Sequence, residues 1–256
     1  SLFFFFFNSG VFMLAVFVNC GAVILGSIIG LLFSKKFSDE LSDMIQTAAG
    51  IITIVIGLQM AFKYDSIVIL TLSLIIGGII GYLMDIDGKI LKLGYVLEKL
   101  VSKKNGENVD NSLEPKNKNF AYAFLNSSVL FCVGAMSIVG SFKAGIEKDY
   151  TIIFTKSILD GFMAISFAAA MGVGTAFSTI VILVYQGLLT LMSGFLQPYV
   201  SDLLISEVSA CGGAIIVMIG INLIGLKKIK TANFIPALVV EILFVIFVPL
   251  IKLLFV

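Results

Sequence analysis

Two carboxylates, Asp160 and Glu241, stand inside long apolar stretches of this chain. Burying a charge in hydrocarbon is costly, so such a group marks an ionic partner, a bound cation or a proton. Asp160 has Lys156 one turn before it, so it is either half of an interfacial ion pair or a carboxylate that handles a cation or proton. Glu241 has no partner nearby in sequence and is either protonated and hydrogen-bonded or turned to a cavity. On the stretch between them, Thr179, Gln186, Thr190, Ser193 and Gln197 form a polar stripe. It is too continuous to serve packing alone and reads as a face lined by water or solute. Upstream, Asn126-Ser127-Ser128 with Gly134, Ser137, Gly140 and Ser141 weakens a regular lipid-facing helix. A straight helix with a small-residue packing face is the expectation there; a break near 133–140, whose freed backbone groups could bind ions, is the alternative.

What the chain lacks narrows the chemistry. There is no His, no Trp and no Arg, since all 17 basic residues are Lys. The usual neutral-pH proton shuttle and commonest metal ligand are missing, as is the bidentate fork for phosphate or carboxylate. No HExxH, catalytic Asp pair or Ser/His set occurs. No enzymatic activity, metal, cofactor or nucleic-acid partner is expected. Cys20, Cys132 and Cys211 lie in apolar runs and should be free.

The elements that must carry these residues follow from composition. Of 256 residues, 59% are apolar and 13% charged, too few charges to clothe a core in water. The chain reads as an all-α, polytopic transmembrane bundle forming a single domain, residues 1–256, with the lipid bilayer as its solvent. Apolar runs at 11–33, 44–62, 66–84, 119–142, 152–172, 175–196, 208–226 and 232–255 predict eight spans. Gly172-Val173-Gly174 splits the fifth from the sixth as a tight hairpin. Residues 1–12 read as an uncertain leader, because Met13 opens a stretch that would serve as a start. Twelve lysines follow odd-numbered spans and five lie on the other side, which places Lys35, Lys36, the 85–118 segment and Lys227–Lys230 in the cytoplasm and both termini outside. Within that segment, residues 86–104 carry Ile86, Ile90, Leu93, Leu97, Leu100 and Val101 on one face and lysines on another, predicting an amphipathic helix on the inner leaflet. Residues 105–118 read as a linker.

Residues 38–60 align without gaps on 201–223, at an offset of 163 and with seven identities, among them Ser38, Asp39, Gly50 and Gly57; Gln59 meets Asn222. The match pairs the second span with the seventh, which run in opposite senses, so an inverted-topology repeat of spans 1–3 and 6–8 is expected. Small residues recur every three or four positions, including Ala15, Asn19, Ala22, Gly26 and Gly30 on the first span. Such ridges serve helix packing, within the chain or in a homodimer.

The motifs FCVGAMSIVGS (131–141), KSILDG (156–161), YQG (185–187) and IGINLIGLKKIKTANFIPAL (219–238), with NCGAVILGSIIGLL on the first span, resemble the YqgA/YdfK-type bacterial membrane proteins, domain of unknown function 554. The likeness runs from Met13 to Leu238 and implies an inner-membrane protein, with no activity to transfer. Glu241 falls beyond it, which favours Asp160. Asn126, Ser137, Asp160, Gln186, Asn222, Asn233 and Pro236 are the polar or helix-disturbing positions in the matching motifs.

The leading expectation is a secondary transporter or channel-like permease for a small solute or monovalent ion. Asp160 would handle a cation or proton, Gln186 and Ser137 would hydrogen-bond the solute, and Gln59 and Asn222 would be pseudo-symmetric gate or site residues, with Asn126, Asn233 and Glu241 as further candidates. The rival expectation is a non-transporting scaffold or regulator that dimerises through the small-residue ridges.

Overall fold

A computed structural model describes residues 13–34, 38–89, 92 and 120–254. The leader at 1–12, most of the amphipathic helix at 86–104 and the linker at 105–118 lie outside the described residues. The helices are α1 (Leu14–Ser34), α2 (Asp39–Ala61), α3 (Ile67–Leu83), α4 (Phe120–Cys132), α5 (Ala135–Ile146), α6 (Thr151–Met171), α7 (Gly174–Leu196), α8 (Asp202–Leu223) and α9 (Pro236–Leu254). Short 3-10 turns at Gln197–Tyr199 and Thr231–Phe234 precede α8 and α9. No strand occurs among the described residues. The protein is all-helical, as its composition requires.

Each apolar run is helical, but they are unequal as membrane spans. Among the described residues, five are long and apolar enough to cross a bilayer: Leu14–Ser34, Asp43–Ala61, Thr151–Met171, Gly174–Tyr199 and Asp202–Leu223. The fourth run is not the straight helix expected. It is broken at Val133-Gly134 into α4 and α5, which bend by 59° and together make a sixth candidate. The small and polar residues that follow Cys132 give the chain little reason to keep one helical axis. Ile67–Leu83 is a shorter apolar helix, and the apolar stretch Thr231–Phe247 joins the second 3-10 turn to the first part of α9, which runs 19 residues to Leu254. At 17 residues α3 is about 25 Å long, somewhat less than a hydrocarbon core.

Local chemistry explains the boundaries. Ser38, Ser66 and Ser201 each accept a hydrogen bond from the backbone N–H three residues on, at 3.2, 3.4 and 3.1 Å. This is helix N-capping. The Ser-Asp agreement between residues 38–39 and 201–202 therefore has a structural cause, the same cap at the head of α2 and of α8. Gly172 ends α6 with φ at +101°, a conformation that only glycine adopts without strain, and α7 starts two residues later. The expected hairpin is present.

The chain folds into two compact units. The first comprises residues 1–49, 91–132 and 136–199; the second comprises 50–90, 133–135 and 200–256. In the first unit α1 runs parallel to α6, with Gly26 against the backbone of Gly161 and Gly30 against that of Ile165. Val16, Cys20, Val23, Phe131, Cys132, Ala164 and Ile182 form its core, drawn from α1, α4, α6 and α7. In the second unit α3 runs antiparallel to α9, with Gly77 on Ala237 and Gly81 on Asn233. The second half of α2 runs antiparallel to α8. Gly57 faces Gly213 and Val217, while Gly50 faces Leu223 and Ile224 and Gly220 meets Gly50 and Ile54.

The glycine ridges read from the sequence are thus occupied inside the chain. Close backbone approach in lipid is what small residues supply, and here it joins helices of one protomer. A homodimer built through these glycines would need surface that is already covered. Cys20, Cys132 and Cys211 are free and buried.

Candidate functional site

In the first unit five polar side chains meet where hydrocarbon packing would be expected. Asn19 on α1, Ser137 on α5, Lys156 and Asp160 on α6, and Gln186 on α7 are all less than a tenth exposed. Lys156 Nζ donates to Asp160 Oδ2, forming an ion pair one helical turn long. Asn19 Nδ2 donates to Asp160 Oδ2 at 3.1 Å and, with its other proton, to Gln186 Oε1 at 3.1 Å. Gln186 Nε2 donates to Ser137 Oγ at 3.4 Å, and that hydroxyl donates to the Phe131 carbonyl at 3.0 Å.

The last contact ties the network to the helix break. In a continuous helix the Phe131 carbonyl would accept from the N–H of residue 135; the break frees it, and Ser137 takes the place of that donor. Cys132, the last residue of α4, lies near Lys156 and Asp160. The C-terminal end of a half-helix, with its unpaired carbonyls, favours positive charge. One buried acceptor of the network, Asn19 Oδ1, has no hydrogen-bond partner. The Asp160–Lys156 pair, two side-chain amides and a hydroxyl are thus linked in one chain of hydrogen bonds that ends at the C-terminus of α4.

The remaining residues singled out from the sequence lie elsewhere. Asn126 is buried on α4, donating to Met171 Sδ at 3.9 Å, and its Oδ1 has no partner. Within the polar stripe, Thr179 and Ser193 donate to carbonyls of their own helix, at 2.7 and 2.9 Å, and Gln197 is exposed. Only Gln186 of the stripe reaches the network. In the second unit Gln59 is exposed. Asn222 brackets Ile229, donating to its carbonyl at 2.8 Å and accepting from its N–H at 2.6 Å. Asn233 Oδ1 accepts from the Asp87 N–H at 2.9 Å, and Asp87 Oδ1 accepts from the Ala232 N–H at 3.3 Å. Both asparagines thus hold turns. Burial pushes the Asp87 carboxyl up from its ordinary value, a shift opposed by the Ala232 N–H and by Lys230. Glu241 is fully buried and faces Ser73 and Glu207.

Similarity at the level of whole chains agrees with this arrangement of motifs. The profile of the family described as "Protein of unknown function (DUF554)" matches residues 14–246. The chain belongs to the DUF554 family. Family membership extends past Leu238, so Glu241 lies inside the matched region and not beyond it. "Uncharacterized membrane protein YdfK" of Bacillus subtilis (strain 168) is 31% identical over 232 residues, covering 89% of this chain and 93% of that protein. "Uncharacterized protein YqgA" of Escherichia coli (strain K12) is 26% identical over 222 residues, covering 87% of this chain and 92% of that protein. No solved structure matches. With its apolar spans, this DUF554 chain is a multi-pass membrane protein.

Sequence reasoning misses Asn19 and Glu207 as chemistry. Asn19 is legible only as one more small residue of a packing ridge, since nothing local links it to residues 141 and 167 positions away. Glu207 sits near the start of α8, where a carboxylate is ordinary.

Proposed function

We propose that this protein is a secondary transporter or channel-like permease of the bacterial inner membrane, and that the Asp160 network is its site for a small monovalent cation or a solute carrying one. The observation that carries this reading is the pairing of buried Asp160 with Lys156 inside a hydrogen-bonded network that ends on a broken helix. A purely structural ion pair has no use for the break or for the unpartnered Asn19 oxygen.

The exchange balances in charge. When the Lys156 ammonium releases its proton, the Asp160 carboxylate keeps its negative charge and a cation takes the place of the ammonium. The site stays neutral in both states, which suits a low-dielectric interior. Asn19 and Gln186 supply amide oxygens, and Ser137 a hydroxyl oxygen, of the hard type such cations prefer. Gln186→Leu should lower uptake of labelled sodium or potassium into liposomes about tenfold, near the worth of a single hydrogen bond. Wild-type uptake by that variant would remove Gln186 from the site.

The inverted repeat belongs to the same proposal. Its support is the reciprocity of α2 and α8: residues 57 and 220, equivalent at an offset of 163, face 213 and 50, equivalent at the same offset. Together with the lysine bias, the repeat predicts opposite sidedness for the heads of α2 and α8. In intact cells a membrane-impermeant maleimide should label Val200→Cys but neither Lys36→Cys nor Asn105→Cys. Labelling of Lys36→Cys and Val200→Cys from one side would remove the repeat, and labelling of Asn105→Cys from outside would reverse the topology.

A further inference from the structure

The second unit contains a separate polar cluster that the transport site does not use. Glu207 on α8, Glu241 on α9 and Ser73 on α3 are each buried, with at most 1% of their surface exposed. Glu207 Oε1 accepts from the Ser66 N–H at 2.8 Å, at the N-cap of α3. Four oxygens are left over: Glu207 Oε2, both carboxyl oxygens of Glu241, and Ser73 Oγ, each without a hydrogen-bond partner. Neither carboxylate forms a salt bridge among the described residues. The two helices packed against α9 present Ser73 from α3, and Glu207 and Cys211 from α8. No basic group faces Glu241 from either of them.

Two ionised carboxylates cannot share such a place, because each raises the cost of charging the other in a medium that solvates neither. One added proton satisfies every leftover oxygen without a further ligand. If Glu241 carries it, its O–H donates to Glu207 Oε2 and the Ser73 hydroxyl donates to the remaining Glu241 oxygen. With the Ser66 N–H on Glu207 Oε1, all four carboxyl oxygens and the hydroxyl are then engaged.

We infer that Glu207 and Glu241 form a proton-binding site in the second unit, holding one proton between two carboxylates with Ser73 as the third partner. Binding is simple protonation, one proton taken from water per pair. The site is distinct from the Asp160 network in residues and in unit, so either can fail without the other.

Infrared difference spectroscopy on the full-length protein in liposomes reads this directly. At pH 7 the wild type should show the carbonyl stretch of a protonated carboxylic acid. Glu241→Gln should abolish it. Glu207→Gln should abolish it as well, because the amide introduced at position 207 then donates to an ionised Glu241. Ser73→Ala, which leaves both carboxyls in place, should shift the band while keeping it, and serves where a glutamine variant does not fold. Absence of the band in the wild type would overturn the inference, as would a band that none of the three substitutions alters. Labelled sodium bound by the wild type and lost in Glu241→Gln would overturn it in favour of a metal-cation site.

Discussion

Asp160→Asn is expected to abolish cation uptake and, by itself, to destabilise the protein by about 3–5 kcal/mol, the usual cost of leaving one member of a buried ion pair uncompensated. Lys156→Met should cost a similar amount for the same reason, since it strands the Asp160 carboxylate. The double variant removes both charges, keeps an amide at position 160 for Asn19 to contact, and should recover most of the stability. Uptake should not recover with it. Thermal unfolding in detergent measures the first part and liposome flux the second. If the pair were only a structural clasp, stability and flux would return together in the double variant.

Gly26→Val is expected to be the most damaging substitution that touches no polar group. A Cβ at Gly26 would fall on the carbonyl of Gly161 in the parallel helix α6, and backbone cannot rotate away as a side chain can. Overpacking of this kind costs about 1–3 kcal/mol, and a branched residue against backbone belongs at the upper end. α1 would be prised from α6, separating Asn19 from Asp160, so flux should fall together with stability. Gly21→Val on the same helix is the control. A Cβ there meets nothing within 4 Å, and its effect should stay within about 0.5 kcal/mol. Equal losses from the two substitutions would refute the close α1–α6 approach as the cause.

The helices are legible in the sequence because their cause is local: hydrocarbon length, glycine punctuation at 172–174, and capping serines at 38, 66 and 201. Asp160 and Lys156 are legible as a pair because one helical turn separates them. Gln186 stands out as part of a stripe, and Ser137 as one polar residue in a weak helix. What joins these residues is α1, and Asn19 gives no sign of it because a network asparagine and a packing asparagine look alike in sequence. The break after Cys132 ranks second to a straight helix on sequence grounds, since glycine and serine suit a packing face as well as a kink. Asn222 and Asn233 carry a polar signal that the fold spends on turns. Glu241 meets Ser73 and Glu207 only through the packing of α9 against α3 and α8, which no local pattern announces. Of the eight expected spans, five helices and the bent α4–α5 pair are long and apolar enough among the described residues, since apolar content shows in composition while helix length depends on where caps and 3-10 turns fall.

If Asp160 and Lys156 exchange a proton for a cation, the exchange can be read as coupled flux. The most direct measurement places the protein in liposomes loaded with a pH-sensitive dye and imposes a sodium or potassium gradient. The wild type should move protons against the cation gradient, and the folded Lys156→Met/Asp160→Asn double variant should move none. Proton movement of equal size from that double variant would contradict the exchange.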